Sequence, residues 1–112
     1  MTLCVFCQIV QRKLPATIVL QDELVTVFRD LHPQGPTHLL IVPNRHIESI
    51  AEAEADDAAL LGKMLLTAAQ IARQAGLAGY RLVINNGAEA GQSVWHLHVH
   101  LIGGRPMRWP PG

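Results

Sequence analysis

One hundred and twelve residues make one domain of ordinary size. The chain is 49% hydrophobic and 16% charged with few aromatics, which supports a packed core and excludes a disordered chain. Lys+Arg and Asp+Glu both number nine, so the formal charge of zero excludes a broad basic surface for nucleic acid or membrane, and phosphate recognition must come from local groups.

In chain order, Met1 to Cys7 carry neither a basic leader region nor a long apolar run, and no later stretch approaches the roughly 20 apolar residues of a membrane span. A cytoplasmic protein with reduced cysteines is expected. Cys4 to Lys13 has a short helical pattern closed by Pro15, with Phe6, Ile9 and Val10 on one side. Thr17–Leu20 and Leu24–Phe28 read as a hairpin around the turn Gln21–Glu23. Asp30 to Pro36 is a loop, and Thr37–Val42, bounded by Pro43, is a central strand. Ser49-x-x-Glu52 fits a capping box, and Asp56-Asp57 suits a helix start. Leu61, Met64, Leu65, Ala68, Ile71, Ala72 and Ala75 recur at helical spacing, which predicts one long amphipathic helix over 57–75 ended by Gly76. Met64 belongs to that core stripe. Tyr80–Asn86 is a strand, Gly87–Gly91 a loop and Val94–Ile102 the last strand. The order predicts an α+β domain, an antiparallel sheet with the long helix on one face.

The last strand carries the chemistry. His96, His98 and His100 alternate with Leu97, Val99 and Leu101, so the imidazoles share one face and are anchored about 6.6 to 6.8 Å apart, within reach of a single phosphate. Histidine is an unusual filling for three successive solvent-side positions. Neutral imidazole is a good nucleophile at phosphorus, and a phosphorylated imidazole leaves readily. For attack at Nε2 the proton must sit on Nδ1, where a backbone carbonyl can hold it.

His-φ-His-φ-His-φ-φ after Gly91-Gln92-Ser93 resembles the signature of the histidine triad superfamily. Phe28-Arg29-Asp30-Leu31, Pro33–His38, Gly79–Asn85 and the ending Gly103–Gly112 with its Trp-Pro-Pro-Gly are similar to its Hint branch, so the resemblance spans nearly the whole chain. It implies a histidine triad fold with a five-stranded antiparallel sheet, one long and one short N-terminal helix, dimerising into a continuous ten-stranded sheet. It implies His98 as nucleophile, through a nucleotidyl-histidine intermediate, and His38 as a hydrogen-bonding support. His96 and His100 would flank the phosphoryl oxygens as donors. Ser93 would donate to phosphate or leaving group, while Gln92 and the amides after Gly91, Val94 among them, would form a phosphate-cradling turn.

By the same resemblance Asp30 accepts from ribose hydroxyls, and Leu31 and Phe28 with Phe6 and Leu14 form a slot for the base. Plain core packing is the other reading of those four apolar residues. Asn85 binds phosphate or ribose, or is a turn residue. Trp109 packs across the dimer toward the partner's site, or lies on its own subunit. His32 and Arg105 read as loop residues. Cys4-x-x-Cys7 with His46 and His96 fits a structural Cys₂His₂ zinc site, His96 keeping a free nitrogen toward the triad. Cysteines here depart from the Hint pattern, and a pair of buried thiols is the alternative.

The expected function is hydrolysis of purine nucleoside 5′-phosphoramidates, with AMP, GMP or adenosine phosphoramidates as ligands and no catalytic metal. Dinucleoside polyphosphate hydrolysis is the rival within the enzyme class, and a nucleotide-binding regulatory module the rival outside it.

Overall fold

Five strands form one antiparallel sheet: β1 (Ile18–Gln21), β2 (Val25–Arg29), β3 (Thr37–Pro43), β4 (Tyr80–Val83) and β5 (Val99–Gly103), in the order β1-β2-β3-β5-β4. The structure is a computed structural model that describes residues 4–112, so the leader reading at Met1, Thr2 and Leu3 lies outside it. As expected, β3 is central. Among the described residues no helix is long and apolar enough to cross a membrane.

Alternation along the strands assigns each residue to a face. Val25 and Val27 of β2, Leu39 and Ile41 of β3, and Val99 and Leu101 of β5 join one buried cluster. The long helix α2 (Ala58–Gln74) closes it with Met64, Ala68, Ile71 and Ala72. The other face gathers Phe28, Leu40 and Val42 under Phe6 and Ile9 of the short helix α1 (Val5–Val10). In register, Phe28 pairs with Leu40 and Leu40 with His100, so the histidine of β5 lies on the α1 face.

Several boundaries differ from expectation. Helix α1 stops at Val10 because Arg12 turns to φ 59° and the Lys13 and Leu14 amides both return to the Gln8 carbonyl. The capping box lies at Glu54 and Asp57 instead of Ser49 and Glu52, and Ser49 makes no side-chain cap. Helix α2 ends as expected, with Gly76 N–H donating to the Arg73 carbonyl and Leu77 N–H to that of Ala72. Strand β4 stops at Val83, and a 3₁₀ turn occupies Ala88–Ala90. The last strand starts at Val99, not Val94. Residues 94–98 leave the ladder, with Leu97 N–H donating to the Ile47 carbonyl.

Candidate active site

The side-chain alternation survives where the ladder does not. Leu97, Val99 and Leu101 enter the α2 core, while His96, His98 and His100 turn the other way, toward α1 and the start of β3. That second side is not solvent: His96 and His98 are buried and His100 is half-buried.

Hydrogen-bond partners fix the protons. The Gln34 amide, which only donates, lies 2.9 Å from His38 Nδ1, so that nitrogen carries a lone pair and His38 holds its proton on Nε2. His38 Nε2 stands 2.8 Å from His100 Nδ1 and 3.5 Å from an Asp30 carboxylate oxygen. It donates to His100 Nδ1, which makes that nitrogen an acceptor and places the His100 proton on Nε2, while the Asp30 carboxylate stands beside the pair. His98 has the opposite arrangement. Its Nδ1 lies 2.7 Å from the His96 carbonyl, which only accepts, so Nδ1 holds the proton and Nε2 the lone pair. Two imidazoles with centroids 4.9 Å apart therefore present unlike faces, a nucleophilic nitrogen and an N–H donor.

Burial keeps these rings neutral. Desolvation pushes His100 down to about 4, helped by His98 and His38 and opposed by Asp30. It also lowers His98, against the opposing pull of the His96 carbonyl and Asp30, and lowers His38, against Asp30.

Beside the histidines lies a mostly apolar pocket of about 330 Å³, where Phe6, Phe28, Leu31 and Val94 meet Asp30 and Ser93. Phe6 joins pocket to histidine, its ring 5.1 Å from that of His98 in edge-to-face geometry. Leu31 is 88% exposed, so it is available to cover a ligand and is not core. Leu14 does not line the pocket, whereas His32 does. Only His32's adjacency to Asp30-Leu31 marked it in the sequence.

Two of the expected contacts are otherwise engaged, and a third is out of reach. Gln92 does not point to a phosphate: its Oε1 accepts from Gly87 N–H at 2.9 Å and its Nε2 donates to the Glu48 and Val94 carbonyls at 2.8 and 3.1 Å. Its backbone amide donates to the Gly87 carbonyl, so this residue braces the loop. His96 has no nitrogen free for the triad, since Nε2 lies 2.8 Å from the Pro43 carbonyl and Nδ1 faces the cysteines. Asn85 sits half-buried beyond β4 and does not line the pocket. Trp109 is 81% exposed, although the tail is tied to its own subunit just before it, where the Arg81 guanidinium donates to the Arg108 carbonyl.

The cysteines complete a second cluster. His96 Nδ1 lies 3.2 Å from Cys4 Sγ, 3.4 Å from Cys7 Sγ and 3.2 Å from His46 Nδ1, and Cys7 Sγ lies 3.3 Å from His46 Nδ1. A tetrahedral zinc with two sulfur and two nitrogen ligands has edges of about 3.3–3.8 Å. With its proton on Nε2 at Pro43, His96 directs a lone pair into the cluster, as a ligand must. The donor set fits zinc.

Neutral, tautomer-fixed imidazoles beside a mostly apolar pocket define a class of protein equipped for nucleophilic chemistry on a small bound molecule. Residues 11–107 match the HIT domain. An uncharacterized HIT-like protein of Synechococcus elongatus is 51% identical over 109 residues, 96% of each chain. A HIT family hydrolase of Legionella pneumophila superposes with a TM-score of 0.96 at 50% identity, over 97% of this chain and 99% of that one. One from Clostridium thermocellum gives 0.92 at 43% identity over 96% of each. The chain belongs to the HIT domain family.

Proposed function

We propose that this protein hydrolyses purine nucleoside 5′-phosphoramidates, cleaving the P–N bond between AMP and an amine through an intermediate on His98. The observation that carries this reading is the opposed tautomers of His98 and His100. His98 Nε2 attacks the α-phosphorus. As the new N–P bond forms, the bond to the amine breaks and its electron pair leaves with nitrogen, which takes up a proton. Water then attacks the nucleotidyl-histidine and returns the lone pair to Nε2. His100 Nε2–H donates to a phosphoryl oxygen as charge develops there. Ser93, exposed at the pocket's edge, donates to phosphate or to the departing amine. The base lies between Phe6, Phe28 and Leu31. Asp30 keeps one oxygen on the His32 amide at 2.8 Å, and the other, 3.5 Å from His38 Nε2, has a lone pair left to accept from ribose.

His96 acts on this reading as support, supplying the carbonyl that fixes His98. Cys4, Cys7, His46 and His96 would hold a structural zinc that ties α1 to the histidine run, and no step passes through it. A homodimer formed along β4, a sheet edge, would bring Trp109, which is 81% exposed, toward the partner's pocket. A cytoplasmic setting with reduced thiols completes the reading.

Mass spectrometry of intact protein, mixed briefly with an adenosine phosphoramidate and quenched without acid, tests it. One AMP added to the wild type and none to His98→Ala, with AMP formed at steady state, is the expected result. Tight AMP binding with neither adduct nor turnover would overturn the hydrolase and leave a binding module. The same spectra, taken under native conditions, would carry the mass of one zinc and of the dimer.

A further inference from the structure

The donor at His100 depends on a chain of bonds that ends well outside the pocket. Gln34 is held at both ends. Its amide donates to His38 Nδ1 at 2.9 Å, and its carbonyl accepts from Arg105 Nε–H at 2.7 Å. Arg105 follows β5, the strand that carries His100, and a second bond from its Nη1 to the Pro106 carbonyl at 3.0 Å steadies the guanidinium. The loop has little freedom against that strand end. A Cβ on Gly35 would stand 3.1 Å from the Gly103 carbonyl oxygen, and one on Gly104 would stand 2.9 Å from Pro36.

The His38–His100 pair has two internally consistent proton arrangements. With the Gln34 amide on His38 Nδ1, His38 donates from Nε2 and His100 offers Nε2–H to the site. With that amide turned away, His38 can hold its proton on Nδ1 and accept at Nε2. His100 would then donate from Nδ1 and present a bare Nε2, which repels a phosphoryl oxygen. The first arrangement is catalytically useful and the second is not.

We propose that Arg105 is a positioning residue that, by holding the Gln34 carbonyl, keeps the Gln34 amide on His38 and so fixes the tautomer in which His100 is a donor. The role in turnover rests on the phosphoramidase reading, whereas the tautomers can be read without it. The arginine touches neither the pocket nor the histidines. It acts through one loop residue.

Long-range ¹H–¹⁵N NMR of the imidazoles, with Arg105→Ala and Arg105→Lys beside the wild type, tests this. In the wild type His38 and His100 should both be protonated at Nε2 and His98 at Nδ1. Arg105→Ala should mix the tautomers of His38 and His100, leave His98 unchanged and lower kcat roughly tenfold with little change in KM, the scale of one lost charge-assisted hydrogen bond. Arg105→Lys, which keeps a cationic donor, should restore part of both signals. Unchanged tautomers at His38 and His100 in Arg105→Ala would overturn the proposal, whatever happens to the rate. Mixed tautomers in a protein whose wild type cleaves no phosphoramidate would uphold the positioning role and sink the proposed reaction.

Discussion

His98 and His100 are the same side chain two positions apart, and what separates them is the partner of each Nδ1. A carbonyl leaves one with a lone pair at Nε2 and an imidazole N–H leaves the other with an N–H there, which in the proposed reaction makes them nucleophile and donor. Removing the donor should therefore cost less than removing the nucleophile. His100→Ala is expected to lower kcat by about 10²–10³, the scale of one lost transition-state donor, while the AMP adduct at His98 still forms in single-turnover mixing. Loss of the adduct altogether would show that His100 takes part in the attack itself. The alternation of histidine with aliphatic residues made this site legible in the sequence, because strand-like spacing sets which way a side chain faces. It called for a backbone carbonyl at His98 Nδ1, which the His96 carbonyl supplies, but could not say what the nitrogens of the other rings would meet. His96 illustrates the gap: its direction was legible, but its two nitrogens are taken by Pro43 and the Cys/His cluster. Gln92 illustrates it again, since a buried amide must satisfy its bonds and the nearest partners are its own loop.

At the scale of elements, periodicity placed the hairpin, the central strand and α2, all of which have strong apolar patterns. Boundaries were less legible where the backbone finds partners off the regular pattern, as at the end of α1 and before β5. The capping box was misplaced because Ser49 and Glu54 both lie three residues ahead of an acidic residue, and only the second meets a continuing helix. The turn after β5 shows how tightly elements meet at the site. Gly104 has φ 91°, and a Cβ there would sit 2.9 and 3.1 Å from Pro36 Cβ and Cγ. Backbone strain and overpacking act together, so Gly104→Ala should destabilise the fold by about 1–3 kcal/mol. Equilibrium urea unfolding should show a lower midpoint at unchanged slope. An unchanged midpoint would mean that the Pro33–Pro36 loop yields freely, and the close packing drawn between that loop and β5 would be wrong.

For the whole molecule, packing two layers on one sheet buries ionisable rings that an unfolded chain would expose. The order of elements predicts the sheet and its long helix but not this electrostatic cost, because the histidine face was expected to meet solvent and is buried instead. His100 titrates near 4 and His38 below its ordinary 6.5, both mainly through burial. Between about 6.5 and 4 the unfolded chain binds a proton at His100 that the folded protein refuses, and His38 adds to this in the same direction just below 6.5. Stability is then fully present above 6.5 and falls as pH falls, with a slope of up to about 1.4 kcal/mol per pH unit from His100 and a further contribution of the same sign from His38. Asp30, which favours protonation of both rings, softens the slope without reversing it. Urea midpoints at pH 7, 6 and 5, taken with a chelator present so that metal release does not contribute, should fall steadily in the wild type. They should fall less in His38→Gln and in His100→Gln, each of which removes one of the refused protons. Equal slopes in all three proteins would place the pH dependence elsewhere and would mean that the folded site accepts protons at an ordinary pH, leaving the tautomer-fixed, neutral pair without its physical basis.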